Sequence, residues 1–239
     1  MDRLAQRSLW PDTTVLCILD VNARYDLIIF DCDGVLVDSE PVTNRVLARM
    51  VSQAGWPMDM MQCAAQFNGR TIKSCMSEIE AKLQISLPSD WEDEYRAQIH
   101  VLLAEQVEAV PGVEAVLAQL AKQNHPFCVA SSAPVDKMQI TLGRTGLWSL
   151  FAPHIYSATM VDNGKPAPDL FLHAAQAQGV EPARCLVIED AEAGALAAKA
   201  AGMDCVGYAG GLFDHRDKLR GAGAKLITAM VQLPALIWT

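Results

Sequence analysis

The sequence predicts an α/β protein, a Rossmann-like parallel sheet core carrying an inserted all-helical cap domain. Three observations lead there. Short apolar runs recur along the chain, each opening after a polar or turn residue. Segments with helical spacing separate most of them, and such alternation with short connections implies a parallel sheet covered on both faces. The stretch 41–107 breaks the alternation, having helical signals and no good strand.

The elements follow in order. Residues 1–23 read as a poorly specified extension: Arg3 and Arg7 ahead of Val15–Leu19 look faintly like a signal peptide, but Asp20 interrupts the short apolar run. Leu27–Phe30 is the first strand. Cap helices are expected at Pro41–Ala54, Thr71–Leu83 and Ser89–Val107, separated by Gly55 and Pro57, by Asn68-Gly69 and by Pro88. Gly112–Gln123 is a helix with Val113, Val116, Leu117 and Leu120 on its apolar stripe. Strand Phe127–Ala130 precedes helix Pro134–Arg144, which opens on a favoured N-terminal proline. Strand His154–Ser157, helix Pro168–Gln178, strand Cys185–Ile188, the alanine-rich helix Ala191–Ala201 and strand Cys205–Tyr208 follow, with Lys225–Thr228 a weaker sixth strand. The division expected is an extension over 1–23, a core built from 24–40 and 108–239, and a cap over 41–107.

Hydrophobic residues make up 51% of the 239-residue chain and charged ones 20%, which supplies a sizeable core. A net charge of -9 argues against nucleic acid and anionic membranes as partners. No run of 18 apolar residues offers a transmembrane helix. The seven cysteines are odd in number, show no CxxC spacing and sit mostly in apolar runs, so reduced thiols in a cytoplasmic protein are the simpler reading than a disulfide framework or a zinc site. A monomer or weak dimer is expected.

Polar residues collect where the predicted strands end. Asp31 and Asp33 follow the first strand, Ser131 and Ser132 the second, Gly164-Lys165-Pro166 the third, and Glu189-Asp190 close the fourth. In a parallel sheet these ends converge on one edge, so the set forms one site. Two carboxylates this close need a positive neighbour. Carboxylates without His or Cys suit a hard, oxygen-loving cation, Mg²⁺ before Zn²⁺, which also takes phosphate oxygens. A hydroxyl and an ammonium opposite would bind the remaining phosphate oxygens. One aspartate can then attack phosphorus, and the other can protonate the leaving alcohol and activate water. Gly34 lets the chain turn away at once.

FDCDGVLVDSE, VASSAPVDKM, GKPAPD and VIEDAEAG resemble, in order and spacing, the four motifs of the haloacid-dehalogenase superfamily. The helical insert resembles the cap of the subgroup that includes phosphoglycolate phosphatase, β-phosphoglucomutase and the sugar-phosphate phosphatases. The similarity spans about residues 24 to 239, and its strength is the ordered set rather than any one motif. It implies a Mg²⁺-dependent hydrolase acting on a small phosphorylated substrate. Asp31 matches the nucleophile and a metal ligand. Asp33 matches the general acid/base, with its backbone carbonyl on the metal. Ser131 and Lys165 match the phosphate clamp. Asp190 matches the remaining protein ligand, with Glu189 in or near the outer coordination sphere. Asn68-Gly69-Arg70-Thr71 falls at the family's specificity loop, making Arg70 and Lys73 candidates for the distal part of the substrate.

Two departures stand out. Ala191 replaces the serine common in the fourth motif, removing a supporting hydrogen bond. β-Phosphoglucomutases carry a histidine twelve residues after the nucleophile, where this chain has Thr43; that and the SSAPVDKM stretch with Lys137 favour a phosphatase of the 6-phosphogluconate kind over a phosphosugar mutase. Plainer readings exist for single residues: Ser131 as a helix N-cap, Lys165 as a solvated loop lysine, Glu189 and Asp190 as partners of a helix dipole.

Overall fold

The computed structural model describes residues 23–67 and 70–238, so nearly all of the expected N-terminal extension and the Asn68-Gly69 pair lie outside the described residues. Strands β1 (Leu27–Phe30) and β2 (Val37–Asp38) lead into helices α1 (Glu40–Gln53), α2 (Met60–Phe67), α3 (Ile72–Leu83) and α4 (Trp91–Gln106). Then come β3 (Glu108–Ala109), α5 (Val113–Lys122), β4 (Phe127–Ser131), α6 (Val135–Arg144), α7 (Trp148–Phe151), β5 (Ile155–Ser157), α8 (Asp169–Gln178), β6 (Cys185–Glu189), α9 (Glu192–Ala200), β7 (Asp204–Tyr208), α10 (Arg216–Ala222), β8 (Lys225–Ile227) and α11 (Pro234–Ile237).

All six expected strands form one parallel sheet in the order β5-β4-β1-β6-β7-β8. The chain runs outward from β1 in two directions, through β4 to β5 and through β6 to β8. That makes the carboxyl end of β1 a topological switch point, where open α/β sheets bind ligands. β1 is fully buried, and its side chains alternate between two cores, as strand geometry requires. Leu27 and Ile29 join Phe171 and Ala174 of α8 and Ala197 of α9. Ile28 and Phe30 join Leu117 of α5, Met138 of α6 and Phe151 of α7 on the other face. Phe30, Phe127 and Phe151 meet edge to face there, the arrangement aromatic rings prefer.

Helices α1–α4 fill the interval where the sequence offered no strand. Most of their buried apolar residues, among them Val46, Ile79 and Leu103, belong to the same apolar cluster as Phe30. Two elements differ from expectation. Helix α2 was not foreseen. Its start is fixed by a reciprocal pair in which Gln62 N–H donates to Asp59 Oδ1 (2.8 Å) and Asp59 N–H to Gln62 Oε1 (2.9 Å). This is a capping box written D-x-x-Q. The second difference is a two-stranded antiparallel ribbon, Val37 opposite Ala109 and Asp38 opposite Glu108, tying the segment that enters the helical insert to the one that leaves it. Pairs of two residues are too short for any periodicity to reveal.

Among the described residues no helix is long and apolar enough to cross a membrane. Cys32, Cys63, Cys75, Cys128, Cys185 and Cys205 are free thiols, all but the last buried.

Candidate active site

The site is built at the carboxyl ends of β1, β4 and β6. Phe30 pairs with Val129 on one side and Ile188 on the other, so Asp31, Ser131 and Glu189 end neighbouring strands. Asp31 N–H donates to Ile188 O (2.9 Å), which continues the ladder one step past the strand and fixes the aspartate's backbone. The chain then folds back: Leu36 and Val37 N–H both donate to Cys32 O, and Gly34 N–H to Val37 O. Gly34 sits at φ +77°, and a Cβ there would lie 2.0 Å from Asp190 Oδ2. The glycine is therefore needed twice, for the left-handed turn and for the space Asp190 occupies.

Lys165 is the hub. Its Nζ donates to Asp31 Oδ1 (2.6 Å) and Glu189 Oε1 (2.7 Å), and lies 4.8 Å from the centroid of the Phe171 ring. The side chain is only 5% exposed, so it is no solvated loop lysine. Burial works against its charge, but Asp31 and Glu189 outweigh burial and hold the ammonium above its ordinary range. Glu189 spends its other oxygen on Ala191 N–H (2.7 Å). It thus caps α9 in place of the side-chain bond that Ala191 cannot make. Each of its oxygens thus already accepts a hydrogen bond. Its place depends on Gly194, where a Cβ would lie 1.7 Å from Oε1. Gly194→Ala is expected to keep the fold, since alanine favours the helix. It should rotate Glu189 off Lys165 and lower turnover about 10- to 100-fold, the usual cost of losing a supporting contact. Unchanged phosphate release by the folded variant would show that this support is dispensable.

Asp33 has its own partners. Ser39 Oγ donates to Oδ1 (2.6 Å) and Lys137 Nζ to Oδ2 (2.7 Å). Burial pushes this carboxyl up, yet the Lys137 charge and the two hydrogen bonds prevail and leave it below the usual carboxylate range. Asp31 goes the other way. Burial, with Glu189 and Asp33 nearby, raises it to about 7 despite Lys165. Burial, Glu189 and Asp31 likewise hold Asp190 well above the ordinary value. So the two members of the DxD pair differ as acids because their lysines and surroundings differ.

These carboxylates fit a magnesium ion. Asp31, Asp33, Glu189 and Asp190 outnumber Lys165 and Lys137 by two, and two of the four are forced toward the neutral form. A divalent cation would discharge that excess. Among the described residues no three His, Cys, Asp or Glu side chains converge as a ready-made metal cage. Magnesium needs none, because it binds through one or two carboxylates and keeps its waters. Beside Asp190 a cleft of about 110 Å³, bounded by Gly34, Glu40, Gly210 and His215, has room for them.

The remaining expected residues are placed as follows. Ser131 is buried at the end of β4, and its Oγ accepts from Ala133 N–H (3.2 Å); α6 starts only at Val135, behind Pro134, so Ser131 does not cap it. Ser132 is exposed beside it. Arg70 is held by Glu78 and Ser74 within the helical insert, and Lys73 is exposed on α3. Among the described residues neither touches the core carboxylates. Lys137 carried no assigned role in the sequence. A lysine in the first turn of a helix reads as a surface residue, and its aspartate lies far away in the chain.

The chain belongs to the haloacid dehalogenase-like hydrolase family, whose match spans residues 25–202. Two curated relatives match most of the chain. It is 29% identical to 6-phosphogluconate phosphatase of Escherichia coli, over 90% of this chain and 95% of that protein. It is 32% identical to fructose-1-phosphate phosphatase of the same organism, over 77% and 96%. Among solved structures, a haloacid dehalogenase-like protein of unknown function from Agrobacterium tumefaciens matches with a TM-score of 0.82 and 38% identity, covering 89% of this chain and 97% of that one.

Proposed function

We propose that this enzyme is a Mg²⁺-dependent phosphatase that hydrolyses a small phosphorylated metabolite, of the sugar-phosphate class, through an aspartyl-phosphate on Asp31. The observation that carries the reading is the Asp31–Lys165–Glu189 cluster at the switch point, with a second, differently tuned aspartate two residues on. Asp31 and Asp190 would hold the metal with the Asp33 carbonyl, and Glu189 through water. The ion would neutralise phosphate charge and keep Asp31 ionised. Lys165 and Ser131 bind phosphate oxygens, and Ser132 adds a further hydroxyl at the rim. Asp31 attacks phosphorus, and Asp33 delivers a proton to the leaving oxygen. Asp33 then takes a proton from the water that hydrolyses the aspartyl-phosphate. Helices α1–α4 act as the cap, closing over the leaving group. Arg70 and Lys73 are the candidates for reading it, once Arg70 exchanges Glu78 for substrate.

A phosphosugar mutase is disfavoured by Thr43, whose hydroxyl is turned into the α1 backbone, donating to Ser39 O (3.2 Å) and Glu40 O (3.1 Å). The similarity to 6-phosphogluconate and fructose-1-phosphate phosphatases supports a sugar-phosphate substrate. A screen of phosphorylated metabolites with MgCl₂ is expected to show inorganic phosphate released stoichiometrically with substrate loss, and none when EDTA replaces the metal. Isomer formed without phosphate would make the enzyme a mutase instead.

A further inference from the structure

Lys137, paired with Asp33, has no role in the reaction as derived above, and its placement is costly. Lys137 is the third residue of α6, in the first turn, where a cation opposes the helix dipole. Its side chain is 17% exposed and that of Asp33 27%, so neither is fully hydrated. Helix stability alone would favour an acid there, as Asp136 beside it already provides. What offsets these costs is the contact with Asp33 Oδ2 at 2.7 Å. Ser39, at the entry to α1, holds the other oxygen at 2.6 Å. A carboxylate free on its two side-chain torsions is thus fixed at both oxygens, from the helical insert on one side and the core on the other.

We infer that Lys137 is a positioning residue for the general acid/base, setting the direction from which Asp33 meets the leaving-group oxygen. This rests on the phosphatase reading above. In the transfer step the P–O bond to the leaving group breaks, that oxygen keeps the electron pair and receives the proton that Asp33, ionised in the free enzyme, takes up as the substrate binds, and Asp31 Oδ bonds to phosphorus. In the second step Asp33 recovers a proton from the attacking water. Lys137 keeps its proton throughout and touches neither phosphorus nor the transferred hydrogen.

The dependence on leaving group tests this. An alkoxide needs a proton to depart and p-nitrophenolate does not, so an error in placing Asp33 is felt by one ester and not the other. Release of phosphate from p-nitrophenyl phosphate and from an alkyl ester, 6-phosphogluconate or fructose 1-phosphate, is measured first with wild type. Failure with all three would overturn the phosphatase reading and this inference with it. In an active wild type, Lys137→Met is expected to lower kcat/KM about 100-fold for the alkyl ester and less than about 5-fold for the aryl ester. Lys137→Arg should recover most of the loss. In an Asp33→Asn background, Lys137→Met should cost nothing further, because the two act as one unit. Equal losses on both esters, a loss confined to KM, or additive losses in the double variant would each overturn the assignment. The arginine variant keeps the test decisive if the methionine variant folds poorly.

Discussion

Asp31→Asn is expected to abolish turnover, by at least about 10³-fold in phosphate release, while the protein folds as well as wild type or better. The replacement is isosteric, and its amide oxygen can still accept from Lys165, which donates to Asp31 Oδ1 at 2.6 Å in the wild type. What disappears is the carboxylate that directly follows β1 at the switch point between β4 and β6. An amide does not attack phosphorus, and the remaining acid/base group cannot substitute for a covalent acceptor. The stability side follows from charge. Asp31 raises the pKa of Asp190, so removing its charge relieves a buried repulsion that Lys165 only partly compensates. Melting in EDTA should therefore give a Tm equal to or above wild type. Acid-quenched enzyme mixed with ³²P-labelled substrate should carry label in the wild type and none in the variant. Wild-type rates from a folded Asp31→Asn protein would remove Asp31 from the mechanism.

Much of this site was legible in the chain because its parts are local. Leu27–Phe30 followed by Asp31 and Asp33 joins a buried strand to a DxD turn within seven residues, and the strand was placed with its observed ends. Lys165 stood out through its neighbours Gly164 and Pro166; it was expected opposite the metal, and its bridge between Asp31 and Glu189, carboxylates expected at the same sheet edge, was not foreseen. The invisible parts depend on distant contacts. Lys137 meets Asp33 across 104 residues of chain, and no pattern in VDKM announces that its side chain turns inward. Glu189 was read as an outer-sphere neighbour of the metal and as a partner of the α9 dipole, but its bond to Lys165, set by where Gly194 leaves space, was not foreseen. Helix α2 was overlooked although Asp59-x-x-Gln62 carries its start signal, because Met60–Phe67 is short and follows directly on the Gly55–Pro57 turn.

Lys165→Met is expected to remove activity and stability together, with the stability loss depending on pH in a stated direction. The side chain is 5% exposed and pairs with Asp31 and Glu189, themselves 9% and 2% exposed. Methionine fills similar volume but leaves two buried carboxylates without their cation. Breaking such a pair from one side costs roughly 3–5 kcal/mol, which for a chain of this size is a Tm lower by about 6–20 °C. The pH dependence follows from Asp31. Its folded value of about 7 lies above its ordinary unfolded one, so its contribution to stability is full below the unfolded pKa and is lost as pH rises through 7. Asp190 is shifted in the same direction. Lys165 lowers both, so without it both rise further and the penalty reaches to higher pH. At pH 5 these acids are largely neutral and need no ammonium. At pH 8 the folded variant must either ionise them unpaired or hold their protons against the solvent. The Tm deficit against wild type, measured in EDTA, should therefore be larger at pH 8 than at pH 5. Turnover with MgCl₂ should fall at least about 100-fold, since nothing else neutralises phosphate charge from the Lys165 side. A deficit that is the same at both pH values would mean that Lys165 supports the site through packing against Phe171 and not through its charge.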